Sequence, residues 1–186
     1  MTRAKPLNIR ETIPAEKVKA AIEHLTSALM AKFDFRSGEL VIVGIHTQGA
    51  AIAERVANQI RQKTGADVPL GVLDITFYRD DFSKRGLHPV MVETRLDFDI
   101  DDKKIVLIDD VLFTGRTVRA AIDELMDYGR PRSVTLAVLI DRGHRELPIA
   151  ADIAALTLKT KRDESVVVHL EETDRKDEIV IGEGGE

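Results

Sequence analysis

The sequence predicts an α/β fold, with a mostly parallel twisted sheet flanked by helices. Three observations carry that prediction. Residues 40–45, 105–108 and 134–140 are runs without a charged residue and rich in Val and Ile, which read as strands buried on both faces. Stretches with apolar residues at helical spacing lie between them. Each run also ends in polar residues, at His46-Thr47-Gln48-Gly49, Asp109-Asp110 and Asp141-Arg142-Gly143. That is expected of a site at the carboxyl edge of a parallel sheet.

The elements follow in order. Residues 1–13 are polar, with Arg3, Lys5 and Arg10, and read as an extended arm. Pro14 suits the start of a helix, and Val18, Ile22, Leu25 and Leu29 recur on one face to about Lys32. After the strand 40–45, the turn His46-Thr47-Gln48-Gly49 opens a helix from Ala50 to about Lys63. Ile52, Ala53, Val56 and Ile60 face inward, and Gly65 lies past its end. Gly44 and Gly49 have the spacing of half a Walker loop, but Ala50-Ala51 stands where Lys-Ser/Thr is required, which excludes an NTPase P-loop. Residues 68–77 read as a strand interrupted by Pro69 and Gly71. The polar stretch 78–94 is long enough for a lid or binding loop, with an ordinary hairpin as the compatible alternative. Val118, Ala121, Ile122, Leu125 and Met126 mark a third helix, closed by Gly129 and Pro131. Residues 166–170 read as a late strand in which His169 is structural, and the Glu- and Gly-rich end 177–186 reads as frayed.

Composition narrows the function. The chain has 186 residues, 44% of them apolar, enough for one α/β domain with a good core. Its 27 basic and 32 acidic residues leave a net charge of −5, which speaks against an obligate nucleic-acid binder. Trp is absent and aromatics are only 4%, so stacking platforms for single strands are scarce. With no Cys there is no disulfide, thiol nucleophile or Cys-based zinc site. No apolar run approaches the roughly 20 residues of a membrane span, and the start of the chain lacks a signal peptide's apolar stretch. A cytoplasmic location without a membrane partner is the expectation.

The chemistry concentrates in the run that follows residues 105–108, namely Asp109-Asp110-Val111-Leu112-Phe113-Thr114-Gly115-Arg116-Thr117. A loop that opens a helix turns unpaired backbone N–H groups toward one point, where the helix dipole also favours an anion. Gly115 permits close approach, Thr114 and Thr117 add hydroxyls and Arg116 adds charge, so this is a phosphate cup. Asp109 and Asp110 precede it, where carboxylates suit sugar hydroxyls or a hydrated Mg²⁺. A phosphate site beside two carboxylates suggests a phosphorylated ribose. The bland alternative makes both Asp turn and cap residues.

This string resembles the phosphoribosyl-diphosphate (PRPP) motif of the type I phosphoribosyltransferases. Together with Gly129-Arg130-Pro131 and the run from Val138 through Asp141-Arg142-Gly143-His144-Arg145-Glu146-Leu147-Pro148-Ile149, it is similar to the PyrR family. Those proteins are pyrimidine-operon attenuation regulators that also act as uracil phosphoribosyltransferases. The resemblance covers roughly residues 37–152 and implies the type I fold, with a small hood and a flexible lid loop.

It further implies conversion of uracil and PRPP to UMP and pyrophosphate, with Mg²⁺ as cofactor, in a homo-oligomer. PRPP would contact Thr47, Gln48 and Gly49 together with the run from Asp109 to Thr117. Asp109, Asp110 and Arg79 would serve catalysis, Arg79 from the lid. Asp141 would reach the metal through water, and Arg142 and Ile153 would meet the base. Gln48 stands where the family often has Arg, so backbone N–H donors hold pyrophosphate there with one charge fewer. Ile153 and Ala155 replace an aromatic and a Gly in the base segment, which lowers stacking on the base. The family's basic, RNA-facing run is Glu23-His24-Leu25-Thr26-Ser27-Ala28 here, which weighs against RNA as a partner. Lys17 and Lys19 read as a solvated face. The rival readings are a nucleotide-sensing RNA-binding regulator, a phosphoribosyltransferase for another base, and a paralogue that binds PRPP without turnover.

Overall fold

The computed structural model describes residues 8–75 and 94–184. Its centre is a five-stranded parallel sheet in the order β3-β2-β4-β5-β6. The strands are β2 (Leu40–Ile45), β3 (Leu70–Leu73), β4 (Lys104–Leu112), β5 (Ser133–Asp141) and β6 (Ile153–Thr157). The helices are α1 (Ala15–Lys32), α2 (Gln48–Thr64) and α3 (Arg116–Tyr128). One core packs Ile22, Leu25 and Leu29 of α1 and Ile52, Val56 and Ile60 of α2 against Ile42, Val106, Ile108 and Leu139 of the sheet. A second joins Val118, Ala121 and Leu125 of α3 to Val41, Val43, Leu107 and Val138. The strands alternate their side chains between these cores, which is why residues 40–45, 105–108 and 136–140 run without a polar side chain.

A smaller antiparallel sheet, β1-β8-β7, forms the hood. It comprises β1 (Asn8–Pro14), β7 (Glu164–His169) and β8 (Glu178–Glu183), with the single-turn α4 (Glu171–Asp174) between the last two. This corrects both chain ends. Residues 8–13 of the expected arm form a paired strand. The expected frayed tail holds the middle strand of the hood, because Ile179, Val180 and Ile181 are buried. The hood is held to the body by Arg55 of α2. Its Nη1 and Nη2 donate to Asp177 at 2.6 and 2.7 Å, and Nε and Nη2 donate to Glu172 at 2.7 and 2.6 Å.

Smaller differences have local causes. β4 continues through Asp109 and Asp110 to Leu112, because Val111 and Leu112 still pair with Ile140 and Asp141 of β5. α2 begins at Gln48 rather than Ala50. The third strand narrows to Leu70–Leu73, and the Pro69 carbonyl before it accepts from the Ile42 N–H at 2.9 Å. The lid loop 78–94, apart from Thr94, lies outside the described residues, as does Arg79. Thr94 donates its hydroxyl to Glu124 of α3 and accepts from the Asp74 N–H at 3.0 Å. Glu124 is only 4% exposed, and its Oε2 has no hydrogen-bond partner. No described helix is long and apolar enough to cross a membrane.

Candidate active site

Parallel strands place all their carboxyl ends on one edge, and four chain segments meet there. The first is the turn into α2. The His46–Thr47 peptide is cis, and the His46 N–H donates to the Leu73 carbonyl at 2.8 Å. Gly49 then sits flush on β4. A Cβ at this position would lie 2.6 Å from the Ile108 carbonyl oxygen and 3.1 Å from the Asp109 Cα. Only glycine brings the N-terminus of α2 this close to the first carboxylate. Gly44 meets the same turn from below, since its Cβ would lie 2.5 Å from the Ala50 Cα.

The second segment is the end of β4 and the loop into α3. Asp109 is buried, and its Oδ1 accepts from the Asp110 N–H at 3.0 Å. Asp110 Oδ1 accepts from the Val111 N–H at 2.8 Å. Gly115 adopts φ +94° as the residue before α3, a conformation that favours glycine. The Thr114 carbonyl accepts from the Glu146 and Leu147 N–H groups at 3.0 and 3.1 Å. The cup is therefore tied to the segment after β5. Arg116, expected to add charge for a phosphate, pairs through Nε with Glu146 at 3.0 Å, and Arg162 engages the same carboxylate.

The third segment holds a residue that sequence reasoning missed. Arg145 donates to the carbonyls of Ile149 (3.0 Å), Phe113 (2.8 Å) and Gly143 (2.9 Å), and to Asp141 Oδ2 at 2.5 Å. It pins the loop into α3, the end of β5 and the turn beyond it to one another. Asp141 spends its carboxylate on Arg145 and on the Gly143 N–H at 2.9 Å, so the structure gives it a holding task. Arg142 is buried and reaches the fourth segment. It donates to Thr160 Oγ1 (3.1 Å), the Lys161 carbonyl (2.8 Å) and the Glu164 carbonyl (2.6 Å). Burial pushes its guanidinium below the usual arginine range. Its Cζ lies 4.1 Å from the centre of the Phe113 ring, and His144 meets that ring edge-on at 5.9 Å.

Ile153 is not part of this cluster. It opens β6 opposite Ala137, whereas Thr157 closes it opposite Asp141. At about 3.3 Å per residue, four residues of strand put Ile153 about 13 Å from the site edge. There it packs against the α1 core. The structure therefore places Ile153, expected to meet the base, at the far end of β6, and strand polarity brings the segment after Thr157 to this edge. Leu158 donates its N–H to the Asp141 carbonyl at 2.9 Å, and the Thr160 carbonyl lies 2.7 Å from His144 Nε2.

Among the described residues no group of three His, Cys, Asp or Glu side chains is arranged to hold a metal ion by itself. Asp109 and Asp110 are hard oxygen donors of the kind Mg²⁺ takes, and a metal arriving with a diphosphate would bring most of its own ligands.

Comparison with known proteins settles the family. The model of the phosphoribosyl transferase domain matches residues 11–173. The Bifunctional protein PyrR of Caldicellulosiruptor bescii is 48% identical over 172 residues, covering 92% of this chain and 94% of that protein. The chain belongs to the PyrR family of phosphoribosyltransferases. The Bifunctional protein PyrR of Thermus aquaticus is 54% identical over 144 residues, covering 77% of this chain and 80% of its own length. The type I fold is shared more widely than the PyrR family. A hypoxanthine phosphoribosyltransferase of Staphylococcus aureus superposes with a TM-score of 0.64 at 18% identity, over 99% of this chain and 97% of its own.

Proposed function

We propose that the chain is the uracil phosphoribosyltransferase of this family, making UMP and pyrophosphate from uracil and PRPP. The observation that carries the reading is the seat of Gly49 on Ile108 and Asp109. It puts two helix N-termini, those of α2 and α3, on either side of the Asp109–Asp110 carboxylates. One would receive the pyrophosphate and the other the 5′-phosphate, with the ribose between them.

No covalent nucleophile is required. The N1–C1′ bond forms as the C1′–O bond to pyrophosphate breaks, and the proton leaves uracil N1. Asp109 and Asp110 hold the ribose hydroxyls and favour the positive charge that develops on the ring. The N–H groups of Gln48 and Gly49 receive the departing diphosphate. Mg²⁺, bound with PRPP, supplies further neutralisation of that charge. Arg79 is assigned to the same diphosphate by the family resemblance. The base lies against residues 158–161, with Arg142 holding that segment and Phe113 in place. The protein works as a homo-oligomer in the cytoplasm.

The test is product formation from PRPP and Mg²⁺ with uracil, orotate, hypoxanthine, guanine and xanthine in parallel, beside an Asp109→Asn/Asp110→Asn double variant. UMP from uracil alone, lost in the variant, supports the reading. Turnover of another base keeps the mechanism and overturns the substrate. The regulatory half of the family's activity is read by RNA binding at low salt with and without UMP. Glu23, His24 and Ser27 occupy the exposed positions of the α1 run, and they supply little positive charge.

A further inference from the structure

We infer that Asp174 is a positioning residue for phosphoribosyl transfer, acting through the side chain of Gln48 on the first turn of α2. The inference rests on the proposed function, because it takes that turn as the seat of pyrophosphate. Gln48 directs its amide to the hood. Nε2 donates to Asp174 Oδ2 at 2.9 Å, and Oε1 lies 2.9 Å from the Thr173 hydroxyl. That hydroxyl has one hydrogen and two further acceptors in reach, Leu170 O at 3.2 Å and Asp174 Oδ2 at 2.7 Å. Asp174 is thus the constant partner.

The carboxylate is itself braced. Its Oδ1 lies 3.2 Å from His169 Nδ1, and the Leu170 N–H donates to Oδ2 at 3.3 Å. The Thr173 hydroxyl, with Gln48, His169 and the Leu170 N–H, holds the carboxyl far below the usual carboxylate range. It is ionised at neutral pH, so Gln48 has a charged acceptor there. Arg55 makes a second attachment on the same helix, to Glu172 and Asp177, which fixes the hood as a whole. The Gln48 attachment differs because it sits on the turn that carries the diphosphate donors. Where the family often has an Arg, this chain has a shorter amide committed to its own hood. The turn gives up one cation and gains an anchor.

A displacement of about 1 Å at a binding turn can cost about a hundredfold, so loss of the anchor has a measurable signature. The experiment measures the Kd of Mg²⁺-pyrophosphate by calorimetry on the full chain, with kcat and both KM values. Asp174→Ala is expected to weaken pyrophosphate and raise the PRPP KM by about tenfold, with kcat and the uracil KM held within about twofold. Asp174→Asn keeps an acceptor for Gln48 and restores most of the affinity. Glu172→Ala removes one of the two carboxylates that hold Arg55, without touching Gln48 or its partners, and leaves the pyrophosphate Kd unchanged. The inference is overturned if Asp174→Ala binds pyrophosphate as the parent does, if Glu172→Ala weakens binding equally, or if Asp174→Asn gives no rescue. A parent that binds pyrophosphate in the expected pattern yet turns over no uracil overturns the substrate reading and leaves this inference standing. A parent that binds no pyrophosphate overturns both.

Discussion

Arg55 and Asp177 meet as a parallel fork, with Nη1 on Oδ2 at 2.6 Å and Nη2 on Oδ1 at 2.7 Å. One residue lies on a core helix and the other just before the last strand, so the pair closes the hood on the body. Arg55 lowers the carboxyl pKa of Asp177 and of Glu172. Depressed carboxyls contribute stability above their unfolded values, about 3.9 for Asp and 4.3 for Glu, and lose it as pH falls through the lower folded values. Arg55→Ala should cost about 2 kcal/mol at neutral pH. In a chain of this size that lowers Tm by about 4–8 °C. Melts from pH 7 to pH 3 should show the gap between parent and variant closing on the acid side. A constant gap would count against this account.

Glu124 behaves in the opposite sense. Burial raises its carboxyl above the usual range, with Asp74 and Asp127 adding to the rise and Thr94 opposing it. A raised carboxyl contributes stability that is complete below its unfolded pKa and lost as pH rises through the folded value. Glu124→Gln keeps an acceptor for Thr94 and removes the buried charge. The variant should match the parent in acid and exceed its Tm at pH 7–8. Tm curves that run parallel from acid to pH 8 would sink the assignment.

Gly49→Ala tests the seat of α2. The added Cβ would meet backbone, 2.6 Å from the Ile108 oxygen, so the helix itself must move. Overpacking of this kind costs about 1–3 kcal/mol. The same shift should lower kcat/KM for PRPP by about a hundredfold. Thermal melts and steady-state kinetics check the two numbers separately.

Arg145→Lys distinguishes geometry from charge. The guanidinium serves the carbonyls of Leu112, Phe113, Gly143 and Ile149 and the Asp141 carboxylate from a planar fork, which an ammonium cannot reproduce. The variant should raise the PRPP KM at least tenfold while retaining the net charge, and it should lose about 2 kcal/mol of stability. An unchanged KM would show that the phosphate loop holds its shape without this residue.

The central sheet was legible because β2, β4 and β5 are buried on both faces and so carry unbroken apolar runs. The strand that carries Asp109 and Asp110 and the loop that opens α3 were legible because they follow one another along the chain. The hood strands were not. β1 alternates weakly and shows solvent all but one of its residues, and the short apolar core of β8 is flanked by Glu and Gly. The place of Ile153 at the far end of β6 was not legible because a one-dimensional string does not give the direction of the strand. Arg145 sits in a run already noted for its family resemblance, yet its partners span residues 112 to 149 and leave no local trace. The Gln48–Asp174 contact bridges two sheets that share no motif.

The hood has its last strand in the middle. β8 lies between β1 and β7, so the first strand of the described chain has no sheet partner until the final one is present. Pairings between such distant segments form late. On a ribosome, the five-strand core therefore emerges with all its strands well before β1 gains its neighbour. A growing chain holds Asp109 and Asp110 at the end of β4 before β8 closes the hood that braces Gln48.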